Sequence, residues 1–376
     1  MDSTVKLGRW FGVPVGLHYS WFIVAGLITL SLVAEFERQN PGWGPLGTWA
    51  IAITAALLFF GCIVLHELAH AIVAQLAGLS VRGITLFALG GVAQISRNAT
   101  SPAWEFTIAV VGPIASVVIG LVCYSLAAAL GWQLNMPAPS AIAALLGWLS
   151  YVNIALAVFN LIPGFPLDGG RMLRAVIWGV TGDADRATRI ASVIGQAIAF
   201  MLIALGVSGV LMRGDFGGLW LAFVGWFLLE AARANYIAAE ISRRLRGIRV
   251  GDLMTRNLAH VAANVTVEDV ANARLLDRMT PGLVVGHSGE PIAVVTLEEV
   301  ERTPRASRSQ LTVDEIARPL DETTAVEPDT PVTAALEVMS REHVTQLPVM
   351  DHGHLEGVLA QSHILRRLEL QAALRA

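Results

Sequence analysis

Between Trp49 and Ala77 the chain stays apolar for the thickness of a bilayer, yet it carries His66-Glu67-Leu68-Ala69-His70 inside that run. Two histidines at i and i+4 lie on one face of a helix with the glutamate between them, a spacing that suits a zinc ion and a general base. In soluble helices the pattern arises by chance. In hydrocarbon an ionisable side chain is costly and is usually kept for function. The run is therefore expected to be a membrane helix with a polar, buried centre.

The rest of the chain agrees with a membrane reading. Of 376 residues, 54% are hydrophobic and 15% charged, too apolar for one ordinary soluble domain. Residues 1–240 hold the long apolar stretches and all ten tryptophans, while 241–376 are charged and read as a soluble module. A formal net charge of −4 gives no argument for a nucleic-acid partner. Cys62 and Cys123 both fall in apolar runs and read as small core residues, with no disulfide framework.

A spanning helix needs roughly 20 apolar residues. Six stretches qualify: 13–33, 49–77, 104–130, 141–162, 189–212 and 217–240. The first has no small-residue cleavage site and is long enough to remain as a span. Lys6 and Arg9 precede it. Arg82 and Arg97 follow the second, Arg171, Arg174, Arg186 and Arg189 the fourth, and Arg243, Arg244, Arg246 and Arg249 the sixth. The opposite loops carry only Arg38 and Arg213. The positive-inside rule then predicts a multi-pass protein of the cell membrane with both termini cytoplasmic.

Two stretches do not fit simple spans. Ile84 to Ile95 is too short to cross and is interrupted by Gly90-Gly91, which predicts a β-hairpin. It is either a surface hairpin or, given its apolarity, a re-entrant one beside the polar centre. Asn160 to Arg171 contains Pro163 and Pro166, which cannot continue a helix, and Gly164, Gly169 and Gly170, which permit tight turns. Asp168 is thereby held on broken backbone near membrane depth. It is either a helix cap or a metal ligand.

The chemistry favours the ligand. Catalytic zinc sites use three protein ligands and leave one position open, so His66, His70 and Asp168 are the expected set, with one zinc per chain. Glu67 would take a proton from water and later deliver it to a leaving amine. Asn160 is balanced between holding the substrate backbone or oxyanion and an interhelical hydrogen bond, and Asn153 leans to the latter.

His66-Glu67-Leu68-Ala69-His70, followed two spans later by Asn160, Pro163 and Leu167-Asp168-Gly169, resembles the paired motifs of the site-2 protease family, with no departure at any of those positions. Leu89-Gly90-Gly91 resembles the family's hairpin motif and Gly112-Pro113 its Gly-Pro pair, while Ser116 stands where an asparagine is frequent. The resemblance covers most of residues 10–240. It implies an intramembrane zinc protease that cuts transmembrane segments of other proteins, often anti-sigma factors or other membrane-held regulators. The hairpin, through Gly90 and Gly91, would then offer a strand edge to an unwound substrate.

After Arg246 the pattern changes. Ile248–Met254 and Leu311–Ala317 open similar stretches, each followed by a turn, an amphipathic helix and apolar strands, a repeat of roughly 65 residues. This resembles a tandem pair of CBS domains, a module that often binds adenine nucleotides and dimerises, which implies a homodimer. Thr296 and Glu299 match a nucleotide-gripping pattern imperfectly; Ala360 and His363, in the second copy, have lost both groups. A regulatory or dimerising module without ligand is the competing reading. The expected architecture is thus a polytopic α-helical membrane domain (1–241) with about six spans and a re-entrant β-hairpin, a linker (242–248) and a soluble α/β tandem CBS module (249–371, copies 249–305 and 312–371). The competing function is a CBS-regulated membrane transporter or metal-binding protein without protease activity.

Overall fold

Alternation of Val13, Val15 and Leu17 with Pro14 and Gly16 makes the start of the first predicted span a strand instead of a helix. β1 (Val5–Trp10) and β2 (Val13–Leu17) form an antiparallel pair, and α1 (Ser20–Gln39) takes the rest of that apolar stretch. The expectation of a helix from residue 13 is corrected here. Apolarity alone does not separate a membrane helix from a strand whose backbone is satisfied by neighbours. In the computed structural model those neighbours are β1 on one side and β3 on the other. The structure describes residues 4–88, 90–95, 99–134, 138–214, 217–256, 258, 260–273, 283–287, 290–295, 297–319, 325–342 and 344–373. It divides into two units, Met1–Ala239 and Glu240–Ala376.

In the first unit α2 (Gly44–Leu76) carries the histidine pair. β3 (Val81–Phe87) and β4 (Gly90–Ile95) follow as an antiparallel hairpin, and β3 runs parallel to β2, giving the sheet order β1-β2-β3-β4. Val13, Val15, Leu17, Ile84 and Leu86 project from one face of the sheet onto Phe60, Ile63, Val64, Leu68 and Ala71 of α2. This packing lays the hairpin along the half of α2 that holds the polar residues.

α3 (Pro102–Ala129) and α4 (Ala141–Asn160) start at Ser101 and Ser140, whose hydroxyls accept from the Trp104 and Ala143 amides. α5 (Asp168–Thr181) follows the proline-broken loop. α6 (Ala184–Arg213) begins under an Asp183 cap, and α7 (Gly217–Leu245) ends the unit's helices. Among the described residues α1, α2, α3, α4 and α6 are long and apolar enough to cross a membrane. The predicted sixth span lies on α7, where Glu230 and Arg233 shorten the apolar stretch.

The second unit contains α8 (Val250–Leu253), β5 (His260–Ala262), α9 (Val267–Asn272), β6 (Leu283–His287), β7 (Glu290–Val295), α10 (Leu297–Arg302), α11 (Val313–Ile316), β8 (Arg318–Pro319), α12 (Val332–Glu342), β9 (Gln346–Asp351), β10 (His354–Ala360) and α13 (Gln361–Ala373). β5 is parallel to β6, as Val326 is to Val349. The opening segments are exchanged between copies. Val250 and Met254 pack with Val326, Val332, Leu347 and Leu359 of the second copy, and Val313 packs with Val267, Val285 and Val295 of the first. Backbone bonds repeat the exchange: Val250 donates to Thr330 and Val313 to Val265.

Candidate metal centre

The polar centre is assembled by three helices and one strand. His66 and His70 stand one turn apart on α2, and Asp168 is the first residue of α5. Nε2 of His66, Nε2 of His70 and Oδ2 of Asp168 form a triangle with all three sides 3.2 Å. All three residues are buried, at 3%, 3% and 9% exposure. Leu167 at the N-cap position gives α5 no side-chain cap, and Oδ2 of Asp168 is turned to the two histidines.

The outer nitrogen of His70 fixes the protonation pattern. Nδ1 lies 2.5 Å from the carbonyl oxygen of Ile108, which can only accept, so Nδ1 carries a hydrogen and the neutral ring presents its lone pair at Nε2. His66 Nδ1 is 2.9 Å from Ser116 Oγ. Lone pairs of two imidazoles and a carboxylate facing one another at this distance repel unless a cation lies among them. Tetrahedral zinc ligands at about 2.0–2.1 Å from the ion lie roughly 3.3 Å apart, close to the observed triangle. His66, His70 and Asp168 are also the cluster of metal-ligating atoms found among the described residues.

Space for an ion is kept by Gly112. A β-carbon there would collide with Nε2 of His70 and stand 2.7 Å from Nε2 of His66. The neighbouring Pro113 has no N–H to give, so α3 lacks one helical bond beside the site. The loop that delivers Asp168 is compact for the same kind of reason: a β-carbon on Gly169 would strike Leu161 O, and one on Gly170 would strike the Gly164 carbonyl carbon. No other residue type fits these close backbone approaches without a shift.

Glu67 faces the hairpin. Its Oε2 accepts from the Ala93 amide at 3.2 Å, so this N–H of β4 points away from β3 and toward the polar centre. Gly91 is required by the same contact, since a β-carbon would sit 2.6 Å from Glu67 Cγ. Gly90, with φ +134°, has a conformation that favours glycine. Leu89 lies outside the described residues. Asn160 ends α4, half-buried, and its side-chain amide has no partner among the described residues. Asn153 is fully buried and donates to Leu149 O at 2.8 Å, a bond within its own helix.

A second layer, not anticipated from the sequence, holds α5 against α3. Glu105, only 2% exposed, accepts from Arg171 Nε at 3.2 Å and pairs with Arg174 Nη1 at 3.1 Å. Arg174 also donates to Thr188 and stacks over Trp178. The available signal was the arginine spacing, since residues 168, 171 and 174 fall along one face of a helix.

In the second unit Thr296 lies outside the described residues. The carboxylate of Glu299 accepts from Arg318 Nε at 2.7 Å. Burial pushes His363 below the usual histidine range, and its Nε2 is 3.5 Å from Thr255 Oγ1.

Comparison with known proteins places the chain by sequence. The profile of peptidase family M50 fits residues 54–134 and 133–202, and that of the CBS domain fits 250–303 and 313–370. A Synechocystis protein provisionally named a zinc metalloprotease is 31% identical over 381 residues, 99% of this chain and 97% of the relative. Another from Mycobacterium tuberculosis, provisionally named zinc metalloprotease Rip3, is 32% identical over 98% of this chain and 94% of its own length. The solved site-2 protease of Methanocaldococcus jannaschii is 28% identical, with a TM-score of 0.43, covering 62% of this chain and 94% of that one. The chain belongs to peptidase family M50, the site-2 protease family of zinc metalloproteases, and carries a tandem pair of CBS domains.

Proposed function

We propose that the protein hydrolyses peptide bonds within or next to transmembrane segments of other membrane proteins, with His66, His70 and Asp168 holding one zinc ion. The observation that carries this is the buried triangle of lone-pair atoms with Glu67 beside it and a strand edge next to Glu67. Zinc at such ligands supplies Lewis-acid polarisation of the scissile carbonyl and an acidified water. Glu67 takes the proton of the attacking water and delivers it to the leaving amine. The Asn160 amide holds the substrate backbone or the developing oxyanion.

A helical substrate shields its own amides and has to unwind first. The outer edge of β4, from Gly90 to Ala93, offers main-chain partners to the unwound segment as an added strand. In this reading the hairpin is re-entrant, six spans cross the membrane, and both termini are cytoplasmic. Residues 1–241 form the protease, 242–248 the linker and 249–371 the CBS module. That module regulates the protease or holds a homodimer, and an adenine nucleotide at Thr296 and Glu299 is the ligand class to titrate. Substrates are membrane-held regulators such as anti-sigma factors.

Zinc content and cleavage of a membrane-spanning reporter test the reading together. Wild type and Glu67→Gln are expected to hold about one zinc per chain, and Asp168→Ala and His66→Ala to lose it. Glu67→Gln should slow cleavage by about 10²–10⁴-fold. No zinc in a folded wild type, or gradient-driven metal flux in liposomes without cleavage, would replace it with the transporter reading.

A further inference from the structure

The face of the sheet turned away from α2 is built differently from the core face. With Val13, Val15 and Leu17 committed to the core, Pro14 and Gly16 of β2 face the other way, beside Gly83 and Thr85 of β3. Those side chains are short or absent. Lys6 and Arg9 from β1 and Arg82 from β3 therefore stand on either side of a shallow floor, around a cavity of about 380 Å³. β1 and β3 are two strand spacings apart, roughly 10 Å, a gap that long basic side chains close around a group the size of a phosphate. Among the described residues no carboxylate pairs with any of the three.

The tip of the same hairpin is unusual. Trp10 pairs with Val13 across a two-residue turn, Phe11-Gly12, in which both residues have positive φ, +49° and +81°. Such turns favour Asn or Gly at the first position. Here a phenylalanine takes the left-handed conformation and is 78% exposed, next to a half-exposed Trp10. Strained backbone that displays an aromatic side chain fits a surface that meets a membrane interface, where aromatic rings and basic residues are both favoured.

We propose that Lys6, Arg9 and Arg82 bind the phosphate headgroup of an anionic phospholipid, with Phe11 and Trp10 anchoring the hairpin in the adjoining interface. Charge complementarity selects the occupant: three cations that pair with no carboxylate among the described residues call for an anion, and anionic lipid is the phosphate carrier that reaches a hairpin at the bilayer surface. The site lies on the sheet that lines the polar centre but uses none of its residues.

Native mass spectrometry of the full chain in detergent, with phosphatidylglycerol, phosphatidylcholine or inorganic phosphate added separately, tests this. Wild type is expected to retain phosphatidylglycerol in preference to phosphatidylcholine. Lys6→Ala/Arg9→Ala/Arg82→Ala should lower the apparent affinity for phosphatidylglycerol by about a hundredfold while its zinc content stays that of wild type. If the triple variant loses zinc or aggregates, Arg82→Gln alone carries the test, with about a fivefold loss. Equal phosphatidylglycerol retention by wild type and variant overturns the proposal. So does displacement of the lipid by millimolar inorganic phosphate, which would make this a site for a soluble anion.

Discussion

Glu105 on the first turn of α3 and Arg174 on α5 meet at 3.1 Å with both side chains almost wholly buried. The pair ties the helix that starts with Asp168 to the helix that supplies Gly112, Ser116 and the Ile108 carbonyl to the histidines. Removing one partner of a buried pair leaves an uncompensated charge and costs about 3–5 kcal/mol. Glu105→Ala is expected to lower the unfolding midpoint and to weaken zinc retention against a competing chelator by at least about tenfold. Unchanged zinc affinity in a folded Glu105→Ala protein would reduce the pair to a structural contact.

Ser116 orients His66 through Nδ1. Outer partners of metal-bound histidines are worth about 10–100-fold in metal affinity. Ser116→Ala should weaken zinc by that amount, and Ser116→Asn should restore part of it. Equal chelator resistance in all three proteins would count against this role.

Gly112→Ala places a methyl group where His70 Nε2 already lies. The expected result is a folded chain, by circular dichroism and elution, with little or no zinc. Full zinc occupancy in that variant would mean that the two histidines do not share the ion.

Gly91→Ala acts on Glu67 and not on the histidines. Its β-carbon would press on Glu67 Cγ from 2.6 Å, so reporter cleavage should fall by about tenfold or more with zinc unchanged. Loss of zinc together with activity would place Gly91 in the fold of the site instead.

Val313 belongs to the second repeat in sequence but to the core of the first. Val313→Ala removes two buried methyl groups, about 2 kcal/mol. Hydrogen exchange should rise at α9 and β7 more than at α12 and β9. The opposite ranking would contradict the exchange of segments.

The sequence could place His66, Glu67 and His70 because a helix repeats every 3.6 residues, which puts i and i+4 on one face. It pointed to Asp168 because two prolines and three glycines broke the helix at that depth. It could not place Glu105 with its two arginines, of which Arg171 alone lies 66 residues away in the chain and Arg174 farther still, because they meet only after three helices have packed. It also ran a helix through Val13 to Leu17, because a fully apolar ladder strand and a membrane helix share one composition. Pro14 and the period-two alternation were the local signs. The crossing of Val250 and Val313 left no local trace at all, since a strand's apolar face does not record which copy will cover it.

That crossing bears on how the soluble half can be divided. A chain stopped between the repeats would keep Val267 without Val313, and would leave Leu245 and Val250 with no second copy to cover them. Each copy alone would have a hole at its centre. The smallest inheritable piece is the pair, and a stop codon between the copies uncovers the first as well as removing the second.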